Sequence, residues 1–212
     1  MAHERARSSP WDARAADLPR DLSELRLREL LEGTGEEIAV RLGEGDPLGL
    51  GPIAMVRLRE EGYLLSPDRV HLRLAARIAF EAAKIGDQRK LRRWLHRGVP
   101  KVLRELLRED EEANRLGVCD AEQLQRNWAW LAKLLRIEPE IARAAAVSFN
   151  RLGKGVRTAF FDTVLLRRPA SVYAELHGVG VDEVQERVRL AAEAISKGTA
   201  ADEPEGDGGE PR

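Results

Sequence analysis

The sequence predicts an all-α protein whose last ordered segment is a helix-turn-helix module. Three observations lead there. Usage leans to Arg, Ala, Leu and Glu, the mixture that helices favour, while Phe and Tyr number only 4 and 2 in 212 residues, and strands want aromatic and β-branched side chains. There is no continuous Val/Ile run of the kind a buried parallel sheet requires. From Leu22 onward apolar residues recur every three or four positions, punctuated by Gly, Pro, Ser and Asp where helices would start and stop.

The first elements lie in "LSELRLRELLEGTGEEIAVRL" (22–42), where Gly33 and Gly35 predict a break into two short helices. "GEGDPLGLGP" (43–52) reads as a loop, followed by a short helix at 53–62. Ser66 then caps a helix that starts at Pro67, carries Val70, Leu74, Ile78 and also Leu72, Ala75, Ala79 and Ala82 on a wide apolar face, and ends at Gly86 in the C′ role. The next helix runs from Gln88 to Leu107 with Leu91, Trp94, Leu95, Val99, Val102, Leu103, Leu106 and Leu107 inward. Pro100 predicts a kink or boundary within it. Asp110–Arg115 reads as a charged turn. Asp120 is an N-cap for the stripe Leu124, Trp128, Leu131 and Leu135, and an Ala-rich helix follows from Pro139. Trp128 and Trp130, two apart, do not share a face and are expected to pack rather than to hold a ligand.

The expected organisation is a disordered N-terminus at 1–20, a helical domain at 21–115, a helical linker at 116–150, the helix-turn-helix module at 151–196 and a disordered acidic tail at 197–212, "GTAADEPEGDGGEPR" being rich in Pro and Gly. In the module a first helix spans 155–166 with Phe160, Val164 and Leu165 inward. A short second helix follows Pro169 with Val172, Ala174 and Leu176 near the core. Gly178 takes the turn, with Val179 and Val181 packing it. A third helix begins near Asp182 with Val184, Val188, Ala191 and Ile195 as its inner stripe.

The stretch "YAELHGVGVDEVQERVRLAAEAI" (173–195) resembles the last region of bacterial RNA polymerase sigma factors of the small extracytoplasmic-function type. The match includes Ala174, Glu175, Leu176, Gly178, Val179, Val181, Val184 and Arg187. More weakly, 66–109 is similar to the second sigma region, in which a core-binding helix leads to a Trp-containing basic helix. Trp94, Arg97 and Lys101 match that helix. The resemblance implies a sigma-factor-like regulator that binds promoter DNA and RNA polymerase core and performs no chemistry of its own.

Charge placement supplies the candidate contacts. Lys plus Arg (35) balances Asp plus Glu (36), so nucleic-acid binding has to come from a local patch. Arg93, Arg97, Lys101, Arg104 and Arg108 fall three to four apart and form a basic stripe. It suits a phosphate backbone, an acidic protein or plain solvent. In the module, Arg157, Arg167 and Arg168 are placed to clamp phosphate while Gln185, Arg187 and Arg189 lie on the recognition helix. That helix also presents Asp182, Glu183 and Glu186, which phosphate repels. The alternative is therefore a non-catalytic, all-helical interaction or regulatory protein that reuses the scaffold without specific DNA binding.

Other classes find little support. The four histidines form no metal-binding pattern, no phosphate-binding loop is present, and the carboxylates cluster in sequence rather than on opposing walls. Neither a cofactor nor a small-molecule substrate is expected, nor an enzyme. The lone Cys119 excludes an internal disulfide and reads as a small residue at a helix start. No apolar run approaches the roughly 18–20 residues that cross a bilayer, and 1–20 lacks an apolar signal core. A cytoplasmic protein without membrane contact is the expectation.

Overall fold

The computed structural model describes residues 18–117 and 120–200. Cys119, segment 1–17 and the tail from 201 lie outside the described residues, and with them the expectations placed on them. Among the described residues the chain is all-α, with no strand.

Helices α1 (Glu24–Leu30) and α2 (Gly35–Gly45) divide at Gly33, whose φ of 110° suits only glycine. Thr34 and Glu37 close a reciprocal cap over the start of α2. The Thr34 hydroxyl accepts from the Glu37 amide at 3.3 Å and the Glu37 carboxylate accepts from the Thr34 amide at 2.8 Å. The loop expected at 43–52 shrinks to 46–49, because α3 (Leu50–Glu61) already begins at Leu50. Asp46, in the left-handed region, reaches forward to accept from the amides of Leu50 (2.6 Å) and Gly51 (2.9 Å), and so supplies the cap from four residues upstream.

Helix α4 (Pro67–Glu81) has the expected Ser66 cap. It does not end at Gly86. A 3-10 turn at Ala82–Lys84 follows, and Asp87 then caps α5 by accepting from the Lys90 amide at 2.7 Å. Helix α5 (Gln88–Leu116) corrects two further expectations. It runs through Pro100, and Asp110–Arg115 belong to it rather than to a turn. Buried side chains on both sides of the proline (Leu95 and Val99, then Val102 and Leu103) keep one face on the core. Tertiary packing of that face outweighs one lost hydrogen bond.

The segment expected to link the two ends of the chain holds α6 (Ala121–Leu135) and α7 (Pro139–Asn150). Trp128, Leu131, Ala142, Ala146 and Phe149 are buried in the same core as α1–α5. Helix α8 (Lys154–Phe160) continues into a π-helical turn at Phe161–Leu165. After it come α9 (Ala170–His177), the turn Gly178–Val179–Gly180 and α10 (Val181–Ala200), which runs beyond the boundary expected at 196. Gly178 has the expected left-handed φ of 64°. The Ala-rich face of α7 lets α10 approach backbone to backbone: a Cβ on Gly198 would stand 2.7 Å from the Ala144 carbonyl oxygen.

The inward face of α9 differs from the expected one. Val172 and Leu176 are exposed, as are Val164 and Val181, and Tyr173 is buried with Ala174 instead. The Tyr173 hydroxyl lies 2.8 Å from the Thr158 hydroxyl, and its ring stacks on His177 at 4.1 Å. A ring with a bonded hydroxyl fixes the rotation of a two-turn helix more firmly than two small aliphatics. Ala159, Tyr173, Ala174 and Val184 form a second, small cluster beside the main core.

Candidate functional site

The basic residues of the C-terminal module are mostly engaged. Arg157 is only 7% exposed. Its guanidinium donates to the carbonyl of Glu61 (3.0 Å) and to those of Asn150 and Leu152, and it lies 4.2 Å over the Tyr63 ring. It ties the end of α3 to α8 and cannot reach a phosphate, which corrects its assignment to DNA. Burial also pulls its pKa below the usual guanidinium value. Arg168 faces Asp162 at 3.7 Å, and of the three phosphate-clamp candidates only Arg167, at a φ of 54°, is exposed.

On α10, Arg187 pairs with Glu183 at 2.5 Å and lies against Gly155 at the start of α8. Arg189 donates two bonds to Glu186 (2.6 and 2.8 Å) and a third to Glu193. The Glu186 carboxylate, then Glu193, raise the Arg189 pKa further above its usual value. Exposed pairs of this kind add little stability, but they neutralise the positive charge that would attract a polyanion. Gln185 is exposed on the same helix. The visible signal for this pairing was the spacing of acids at i±3 and i±4 around both arginines.

Helix α5 is the reverse case. Arg93, Arg97, Lys101, Arg104 and Arg108 are all exposed, and none makes an ion pair among the described residues. At 3.6 residues per turn they fall within an arc of about 80° along about 22 Å of helix. The reason lies on the opposite side. Arg77, Arg73 and Arg69 descend α4 antiparallel to α5 and take up its acids: Arg77 binds Glu105 at 2.5 Å, Arg73 binds Glu109 at 2.7 Å, and Arg69 binds Asp110 at 2.5 Å. Glu105, Glu109 and Asp110 are thus turned toward α4, while Glu111 pairs with Arg151 at the end of α7 and Glu112 with Arg115, and the five cations are left without an ion pair among the described residues. Burial raises the Glu109 pKa, but Arg73 and then Arg69 outweigh it and hold the carboxyl below its usual range. Asp110 is only 5% exposed, and burial pushes its carboxyl up despite Arg69.

The upper end of the stripe borders a cavity of about 390 Å³ between the end of α4, the 3-10 turn and the first half of α5. Lys84, Lys90, Arg93, Arg97 and Lys101 stand around it, with Arg77 and Glu81 on the α4 side. Its inner wall is apolar, made by the buried Ile85 and Val102 and by the half-buried Trp94. The indole lies against Gly98, one turn on, where a Cβ would stand 2.8 Å from the ring. Sequence reasoning placed Trp94 among the inward residues and missed its partnership with Gly98. The i, i+4 spacing of the two was the available clue, but the wall from Ile85 exists only in three dimensions.

Among the described residues no group of His, Cys, Asp and Glu is arranged to hold a metal ion, and no helix is long and apolar enough to cross a membrane. No protein-family model matches the chain, and neither a curated protein nor a solved structure matches it.

Proposed function

We propose that the chain is a sigma-factor-like regulator that acts by binding DNA and recruiting RNA polymerase core, and that it grips the phosphate backbone through α5. The carrying observation is the row of five exposed, unpaired cations from Arg93 to Arg108. Its length of about 22 Å is enough to span several phosphates of a duplex, which carries one charge per strand for roughly every 3.4 Å of its axis. In this reading α9, the three-residue turn and α10 form the helix-turn-helix module. Gln185 and the carboxylates of α10 serve base contacts, carboxylates being acceptors for cytosine N4, while α5 supplies the attraction that α10, with its cations paired, lacks.

A second reading is favoured by a separate observation: Leu176 is 66% exposed, with Val172 exposed one turn before it on α9 and the acidic start of α10 adjoining. This mixed apolar and acidic face suits a protein partner such as a polymerase subunit or another regulator.

Fluorescence anisotropy of labelled duplex DNA across a salt series separates the two. If all five cations contact phosphate, log K falls with log[salt] at a slope of about −4.5. The variant Arg97→Ala/Lys101→Ala lowers the magnitude by about two, and Arg187→Ala/Arg189→Ala leaves it unchanged. DNA binding that is absent, or insensitive to the α5 substitutions, refutes the first reading. Absent duplex binding together with a capture of polymerase core that Leu176→Lys abolishes supports the second.

A further inference from the structure

We propose that the cavity at the amino-terminal half of α5 is a binding site for a free nucleoside polyphosphate, with the base on Trp94 and the phosphates on Arg93, Arg97 and Lys101. The inference stands on the cavity and does not require that α5 holds DNA.

Four features converge on this ligand chemistry. The volume of about 390 Å³ lies within the range of small-molecule sites. Its apolar wall includes a flat aromatic face, and that face is fixed in place. Gly98 leaves room for the indole to lie on the α5 backbone, and any side chain there would displace it. A pinned indole is a stacking platform for a purine or pyrimidine ring, since every base has a π-face. The rim carries Lys84, Arg93, Arg97 and Lys101 without ion-pair partners among the described residues. Several unpaired cations around one small cavity match a ligand with several negative charges and exceed what a fatty-acid carboxylate or another monoanion can neutralise.

The other charged groups at the site do not undo this balance. Lys90 stands 3.6 Å from Asp87 and keeps most of its exposure, Arg77 is committed to Glu105, and Glu81 is the single carboxylate on the cavity wall. Arg is suited to such a rim because its planar fork bonds phosphate oxygens in pairs and also stacks.

The test is a titration of the full chain with N-methylanthraniloyl-ADP, followed by anisotropy. Saturable one-to-one binding is expected, weakened at least tenfold by Arg93→Ala/Arg97→Ala. Gly98→Ala is the decisive variant. Alanine is the better helix former, which offsets part of the packing lost when its methyl group displaces the indole, so the protein stays folded and binding is expected to weaken at least tenfold. Wild-type affinity in Gly98→Ala overturns the stacking role. Displacement of the probe by tripolyphosphate as readily as by unlabelled ADP reduces the site to an anion patch and overturns the nucleoside assignment. Displacement by a short single-stranded oligonucleotide at lower concentration than ADP assigns the cavity to a polymer and overturns the free ligand. Failure of any of these leaves the salt slope of duplex binding unaffected, so the two proposals fail separately.

Discussion

Gly62→Ala is the substitution whose cost the geometry fixes most closely. Gly62 closes α3 with a φ of 68°, and a Cβ placed on it would stand 2.6 Å from the Arg157 carbonyl carbon and 2.7 Å from the Thr158 amide nitrogen. The left-handed conformation alone costs a non-glycine residue about 1–2 kcal/mol. The clash is with the backbone of α8, which cannot swing aside, so about 1–3 kcal/mol of overpacking is added. Gly178→Ala supplies the control. Its φ of 64° is nearly the same, but nothing lies within 4 Å of its Cβ, so only the first cost applies. Guanidinium denaturation of both variants, with m-values checked for two-state behaviour, should place Gly62→Ala about 1–3 kcal/mol below Gly178→Ala. Because pushing α8 away also separates the Arg157 guanidinium from the Glu61 carbonyl, Gly62→Ala and Arg157→Ala should be non-additive by at least about 0.5 kcal/mol. Equal losses for the two glycine variants, or strict additivity with Arg157→Ala, would refute the close α3–α8 contact.

Arg157→Ala itself should cost about 2–4 kcal/mol, since three carbonyls lose a charged donor and Tyr63 loses its cation, while the salt slope of DNA binding stays as in the wild type; a reduced slope would mean that this arginine touches phosphate after all. Asp110→Asn tests the buried carboxyl. Its folded pKa is raised above the ordinary 3.8, so between that value and the folded one the native state binds more protons and this group's contribution to stability falls as pH rises. The stability of Asp110→Asn relative to wild type should therefore rise with pH across that window and then level off, and a flat or falling difference in urea titrations counts against it. Gly198→Ala should destabilise by about 1–3 kcal/mol through contact with the α7 backbone, where an uncrowded helix position would gain about 1 kcal/mol from the same change; a gain in Tm would show that α10 does not approach α7 so closely.

Much of the helical framework was legible in the sequence because its signals are local. Ser66 and Pro67, Asp120, the Gly33 break and the left-handed Gly178 all announce themselves within a few residues. What escaped depended on distant partners. Pro100 looks like a boundary until the core on both sides of it is known, and Asp110–Arg115 looks like a solvated turn until Arg69 and Arg73 are seen to receive Asp110 and Glu109. The packing of 116–150 escaped for the same reason: Ala142 and Ala146 are weakly hydrophobic in sequence but are buried where α7 meets its neighbours. At the candidate site the stripe was legible as spacing, whereas the difference between an arginine on α5 and one on α10 was not drawn from it. Both are charged and on helices, and Arg189 is exposed like the α5 cations. They differ in whether a carboxylate closes an ion pair on them, as Glu183 and Glu186 do on α10.

That difference explains how a chain with a net charge of −1 can present a cationic edge. The α4–α5 pairing draws Glu105, Glu109 and Asp110 to one side of α5, so near-neutrality is achieved by segregation rather than by mixing. It also couples the two proposals. Arg93, Arg97 and Lys101 belong both to the cavity and to the stripe, which leaves Arg104 and Arg108 as the cations outside the cavity. A nucleoside polyphosphate bound there would occupy three of the five phosphate contacts, and the salt slope for DNA should fall from about −4.5 to about −2. Small-molecule occupancy would thus weaken the grip on DNA by charge competition alone, with no change of shape. Duplex titrations with and without saturating ADP at matched ionic strength decide the point: an unchanged slope means that nucleotide and duplex do not share these side chains.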